Sequence, residues 1–395
     1  MTAHDTGPSG TRSALIVGAG IAGQAAALRL HQAGWRVRVV ERAPRRRGGG
    51  YAVSFAGIGY DAAERMGVLP DLLDRHITPD ALVYVRKDGT EAFTVPGRTV
   101  RALAGERNLN LLRGDIEDVL HRRVRDHAEF TYGTTVERVE QDADGVRATL
   151  SDGTVTTADL LIGADGLHSA TRAQVFGPES AYRRDLRHMV GVFMLDHRPE
   201  GVAPGATASL TDTGRTLAVI DLGANGAAAF FGYRSEESGR ELAEGPYTAI
   251  PRACGDMGWV APQVLEQLAA ARDVYFDTVS QMEVDGWSRG RVVLLGDAAW
   301  CVTLFAGYGS ALAVGGADAL GTALEEHPDD LPAALAAWER RIRPEAERKQ
   351  RLGRQVKGLY APEDRFGLWL RDLPLRMAAN PLVSRFLQRR LQIRG

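Results

Sequence analysis

The stretch from Ser13 to Gln32 restricts this chain more than any other. Ser13–Val17 (SALIV) is a short apolar run with strand-forming residues, Gly18-Ala19-Gly20-Ile21-Ala22-Gly23 follows at once, and Gln24–Gln32 has helical composition. Strand, glycine-rich turn and helix in that order predict the opening unit of a dinucleotide-binding α/β domain. Gly18 permits the tight turn, Gly20 lets the backbone approach a pyrophosphate, and Gly23 lets the helix pack closely on the strand. The helix start, around Ile21 and Ala22, offers unpaired N–H groups and a partial positive charge to phosphates.

Gly34 closes that helix, and Trp35–Val40 (WRVRVV) alternates polar and apolar residues as a second strand ending on Glu41 and Arg42. A carboxylate there is placed to accept hydrogen bonds from an adenosine ribose. It would repel a 2′-phosphate, so the unit is expected to hold FAD or NAD rather than NADP. The residues of this unit leave those two open.

Two later segments narrow the choice. Asp159–Gly163 (DLLIG) runs into Ala164-Asp165-Gly166-Leu167-His168-Ser169-Ala170-Thr171-Arg172, a polar turn that by itself also fits a hairpin. Arg291–Leu295 (RVVLL) delivers Gly296-Asp297-Ala298-Ala299-Trp300, a loop, and Gly307-Tyr308-Gly309 ahead of an alanine-rich helix. A carboxylate at a strand's C-terminal end can bind ribityl hydroxyls, and the following helix start can face an electron-rich ring edge. Together with the opening unit, these segments resemble the three motifs of the para-hydroxybenzoate hydroxylase-like (class A) FAD-dependent monooxygenases, of the tetracycline-modifying and polyketide-tailoring type. Gly48-Gly49-Gly50-Tyr51-Ala52-Val53, Leu111-Leu112-Arg113-Gly114-Asp115 and Tyr275–Gly296 are similar to further segments of that family.

The resemblance implies an α/β fold: a Rossmann-like FAD-binding domain, a second antiparallel-sheet substrate domain and C-terminal helices. It implies FAD contacts at Gly18, Gly20, Ile21, Ala22, Gly23, Glu41 and Arg42. Further contacts are implied at Arg113, Asp165, Asp297, Gly307, Gly309 and Ser310. NAD(P)H is implied as a transient reductant, with oxygen passed to the substrate from a flavin C4a-hydroperoxide. Trp300, Thr303 and Phe305, on the loop after Asp297, are the implied catalytic positions beside the flavin ring. The cofactor carries the hard chemistry, so no catalytic triad or metal cluster need stand out. In the family the Gly-Asp segment usually continues with a His or aromatic, then one or two prolines, then a glycine-rich turn with an Asn just after, and here those places hold Trp300, Thr303, Leu304 and Ala311. Loss of proline frees the loop against the flavin. That departure keeps a second reading open, an FAD-binding non-redox cyclase of the Diels-Alder type on the same fold.

The family architecture places a discontinuous flavin domain at 1–79, 100–179 and 276–330, a substrate domain at 80–99 and 180–275, and a helical segment at 331–395. Alternating runs such as Ala81–Val85, Met189–Leu195 and Ala227–Tyr233 predict the strands of the substrate domain. Phe193, Phe230, Tyr233 and Met282 are its candidate substrate residues, since large apolar side chains suit a flat hydrophobic ligand. The tail Pro381–Ile393 reads as a capping helix packed on the body rather than a membrane-surface helix. A net charge of −2 leaves no basic footprint for nucleic acid. Cys254 and Cys301 lack metal-ligand spacing. No run approaches roughly 18 apolar residues, and residues 1–13 lack the apolar core of a signal peptide. A cytoplasmic enzyme acting on a small molecule is expected, and nothing in the sequence sets its oligomeric state.

Overall fold

A computed structural model describes residues 11–46, 51–303 and 307–380. Two sheets organise them. The first runs Ser288–Arg289, Val292–Leu294, Leu160–Gly163, Ser13–Val17, Arg36–Glu41, Glu129–Tyr132, parallel throughout except at the short edge strand Ser288–Arg289. Its central strands are buried along nearly their whole length, as expected where helices or loops cover both faces. The helix Ile21–Gln32 packs on this sheet and against the long helix Gly309–Glu326. Two glycines make the opening turn possible. Gly18 has φ +103°, and a Cβ there would lie 2.5 Å from the Ala164 carbonyl oxygen. A Cβ on Gly23 would lie 1.8 Å from the Gly18 oxygen, so helix and strand meet at backbone distance.

The second sheet is ordered Val274–Met282, Arg183–Leu195, Ala227–Arg234, Arg215–Asp221, Ala206–Asp212, Ala81–Val85, Glu91–Pro96. All its pairs are antiparallel except Ala206–Asp212 with Ala81–Val85. Val274–Met282 belongs to this sheet over its full length, so the expected domain cut at 275 falls inside a strand. Period-2 alternation divides the faces. Leu217, Val219, Ala229, Phe231 and Tyr233 pack under the helices Pro246–Cys254 and Ala261–Ala270 as one hydrophobic cluster. The opposite face looks toward the first sheet. Leu331–Tyr360 and Arg365–Ala379 then fold back over the junction, while residues 381–393 lie outside the described range.

Candidate active site

A cavity of about 760 Å³ lies between the two sheets. One end is formed by Tyr51–Ser54 and Arg113, on and just after the separate two-stranded sheet Ala52–Ala56 with Asn108–Leu112, and by Asp297, Cys301–Thr303 and the helix start Gly307–Ser310, which follow the first-sheet strand Val292–Leu294. The other end has the open face of the second sheet as its floor. Pairing registers align Tyr84, Ser209, Ala218, Phe230, Val192 and Tyr275 in one transverse row across that sheet. All of these except Val192 line the cavity.

Charge is concentrated at the first end. Asp297 sits deep in the molecule, yet its side chain opens onto the cavity. Burial raises its pKa, and the nearby Arg113 and a hydrogen bond from the Cys301 thiol oppose that rise. Arg113 Nη2 pairs with Glu117 Oε1 at 2.8 Å. Burial raises the Glu117 carboxyl too, and Arg113 offsets only part of the shift. The phenols of Tyr51 and Tyr275, with ring centroids 5.5 Å apart, are pushed upward by burial and stay neutral. Glu41 accepts hydrogen bonds from the Ala19 and Ala43 amides, each at 2.8 Å. Each oxygen keeps a lone pair for a further donor.

These groups form a connected track. A Cβ at Gly20 would stand 3.7 Å from Arg113 Nη2, and one at Gly309 would stand 3.8 Å from Asp297 Oδ1. The helix beginning at Ile21 has no side-chain cap, nor has the helix beginning at Gly309, so both offer free amides. Carboxylate, amides, guanidinium, carboxylate and amides in that order suit a long ligand with a diol at one end, a pyrophosphate in the middle and a hydrogen-bonding ring at the other. A family model described as "FAD binding domain" matches residues 11–347.

The chain belongs to that FAD-binding family.

Similar proteins include the FAD-dependent monooxygenase asL4 of Sarocladium schorii, 30% identical over 79% of this chain and 75% of that protein. The aurachin C monooxygenase/isomerase of Stigmatella aurantiaca is 30% identical over 96% and 97%. Among solved structures, tetracycline destructase Tet(55) superposes with a TM-score of 0.80 at 27% identity, covering 97% of this chain and 98% of its own. The chain is an FAD-dependent monooxygenase, and its donor track fits FAD.

Of the residues expected to contact FAD, Arg113, Asp297, Gly307, Gly309 and Ser310 line the cavity. Gly18, Gly20, Ile21, Ala22 and Gly23 form the turn and helix start as expected. Arg42 is exposed at the end of its strand. Asp165 spends its carboxylate locally, accepting from Ser169 Oγ and from the Thr171 amide and hydroxyl at 2.5, 2.9 and 3.0 Å. The motif's arginine, Arg172, is fully buried and donates to the carbonyls of Ala298 at 3.0 Å and Leu167 at 2.7 Å, tying the two later motifs together.

Several expectations are corrected by the geometry. Trp300 turns away from the cavity, because the turn Asp297–Trp300 presents positions 297 and 301 to it and sends 298–300 into the core. There Trp300 packs on Trp287 and Trp338, with centroids 4.5 and 5.9 Å away. Of the proposed substrate residues only Phe230 lines the cavity. Phe193 pairs with Ala229, and Tyr233 lies three residues from Phe230, so both occupy the helix-covered face. Met282 is buried in the core of the first sheet, beyond the end of the cavity floor. Thr303 does line the cavity, held at φ +86°, a strained value for a β-branched residue. Phe305 and residues 48–50 lie outside the described range.

The sequence reading missed Leu82, Tyr84, Thr207, Ser209 and Ile220 on the floor, and Tyr360 and Arg371 on the roof. Strand parity within each run could have paired the floor residues. It also missed Gln281, whose amide donates to Val302 O at 3.1 Å and Gln350 O at 2.8 Å, fastening the loop after Asp297 to the helix Leu331–Tyr360.

Proposed function

We propose that this FAD-dependent monooxygenase hydroxylates or epoxidises a flat, largely apolar aromatic or polyketide-like compound, with NAD(P)H as the transient reductant. One observation carries the reading: the inner end of the FAD track, Arg113, Asp297 and Gly307–Ser310, and the floor around Phe230 line a single continuous chamber. Bound FAD supplies the redox chemistry and the activated oxygen.

This chain's residues bind, orient and exclude water. The Gly20 turn and the amides after it would receive the pyrophosphate, with Glu41 available to the adenosine ribose and Arg113 to the phosphates. Asp297 would accept from the ribityl hydroxyls, and the amides at Gly309 and Ser310 would hold the pyrimidine end, where the helix dipole favours negative charge. Phe230, Leu82, Ala218 and Ile220 hold the substrate against the ring and keep bulk water out, which strengthens every polar contact inside. Supporting the substrate class are the names of relatives that act on tetracycline and aurachin C. Among the described residues no helix is long and apolar enough to cross a membrane. A cytoplasmic location, where NAD(P)H is at hand, is part of the proposal.

The test supplies NAD(P)H and oxygen-18 gas to the purified yellow protein with polyketide-like aromatic compounds. One labelled oxygen in the product and substrate-stimulated NAD(P)H oxidation are expected. Product formed without dioxygen, with the flavin never reduced, refutes the proposal. Nothing among the described residues favours the cyclase reading over oxygenation, and the relatives asL4 and the aurachin C enzyme are named monooxygenases.

A further inference from the structure

The substrate end of the cavity contains one group that the chemistry above leaves unused. Arg371, on the helix Arg365–Ala379, lines the cavity although it is only 8% exposed. Its guanidinium carbon stands 5.4 Å from the centre of the Tyr84 ring. The neighbouring Asp372 carboxylate approaches Arg371 Nε at 3.2 Å, but Asp372 Oδ1 makes no hydrogen bond. Asp372 also faces Arg376 Nη2 at 3.7 Å. Two guanidinium groups therefore share one carboxylate, and a net positive charge remains at the wall. Among the described residues the Arg371 guanidinium makes no hydrogen bond. Burial works against its charge more than Asp372 supports it.

The surrounding floor is neutral: Leu82, Tyr84, Thr207, Ser209 and Ile220. The other charged groups of the cavity, Arg113 and Asp297, lie on the FAD track. A guanidinium removed from water without a hydrogen-bonding partner is costly, and an incoming anionic oxygen would repay that cost with charge-assisted bonds.

We infer that Arg371 is a specificity-determining residue, selecting substrates that carry one anionic oxygen, an enolate or phenolate, on an otherwise flat apolar frame. A phosphate or a polyanion is disfavoured, since a single net positive charge faces an apolar and hydroxyl-bearing floor. The inference rests on the proposed monooxygenase reading for the site but reads binding without turnover.

The experiment uses the oxidised holoenzyme with no reductant. The probes are 2-hydroxy-1,4-naphthoquinone, an ionised enol at neutral pH, and its neutral methyl ether. Binding is followed by perturbation of flavin absorbance, and by calorimetry as a signal independent of flavin. Wild type should bind the anion about tenfold or more tighter than the ether. Arg371→Gln should abolish that preference while leaving the ether's affinity within about twofold, and Arg371→Lys should keep part of it because it preserves charge but not the planar fork. Equal affinities in the wild type, or no binding of the anion, overturn the inference even if no variant folds. So does an unchanged preference in an Arg371→Gln protein with full FAD content. A failure of the oxygen-18 experiment with the anion preference intact would instead count against the monooxygenase reading alone.

Discussion

Gly20→Ala is predicted to separate cofactor binding from folding. A Cβ at position 20 meets nothing closer than Arg113 Nη2 at 3.7 Å and Glu117 Oε1 at 3.8 Å, which is ordinary van der Waals contact. The residue has φ −74°, open to any L-amino acid. As the residue preceding the first helical turn, glycine is preferred to alanine there, and losing it costs up to about 1 kcal/mol. Alanine also reduces the entropy of the unfolded chain, worth about 0.4–1 kcal/mol in the opposite direction. The apoprotein should therefore keep its stability to within about 1 kcal/mol. The added methyl does occupy the space proposed for the pyrophosphate. An overpacked contact of that kind costs about 1–3 kcal/mol, so the Kd for FAD should rise by about 5- to 150-fold. Gly23→Ala is the contrast, since its Cβ would fall 1.8 Å from the Gly18 oxygen and the strand-helix junction itself must give way. FAD titration by flavin fluorescence, with thermal melts of the apo and FAD-saturated proteins, reads both quantities. A Gly20→Ala protein that binds FAD as wild type does, or whose apo form melts as early as Gly23→Ala, would falsify the assignment of the turn.

Phe193→Ala and Trp300→Ala should each cost about 3–5 kcal/mol of stability, from the cavities they leave in their clusters. Denaturant titration should show this, with little change in KM for substrate in whatever folds. Phe230→Ala should do the reverse, raising KM with a smaller stability loss, because its ring faces the cavity. His168 bridges Glu179 and Asp277, at 2.9 and 3.3 Å, and these contacts raise its pKa, the Asp277 hydrogen bond most and burial opposing. A raised histidine pKa stabilises the fold fully below its ordinary value of 6.5 and loses that contribution as pH climbs through the raised value. The melting-temperature advantage of wild type over His168→Gln should therefore be largest below pH 6.5 and shrink above it. An advantage that grows with pH contradicts the bridge.

Local motifs were readable because their physics is local. Gly18 and Gly23 are demanded by backbone contacts within a few residues of themselves or on the adjoining strand end, and Asp297 follows directly from a buried strand and a glycine turn. The substrate wall was not readable in the same way. Phe230 and Tyr233 look alike as residues, and only their opposite parity on one strand separates a ligand contact from a helix contact. Trp300 looked like a flavin neighbour because it follows Asp297, but a helical turn rotated it into the tryptophan cluster.

By itself the sequence determined the dinucleotide turn, the Gly-Asp turn and the α/β class, since glycine conformation, strand hydrophobicity and helix starts are set by neighbours along the chain. Only tertiary structure decided which residues share the chamber. Tyr84, Ser209, Ala218, Phe230 and Tyr275 come from five different strands and meet through sheet register, and Arg371 reaches them from the C-terminal helix folded back across the junction. Register and docking depend on how distant faces bury one another, which no single stretch of chain encodes.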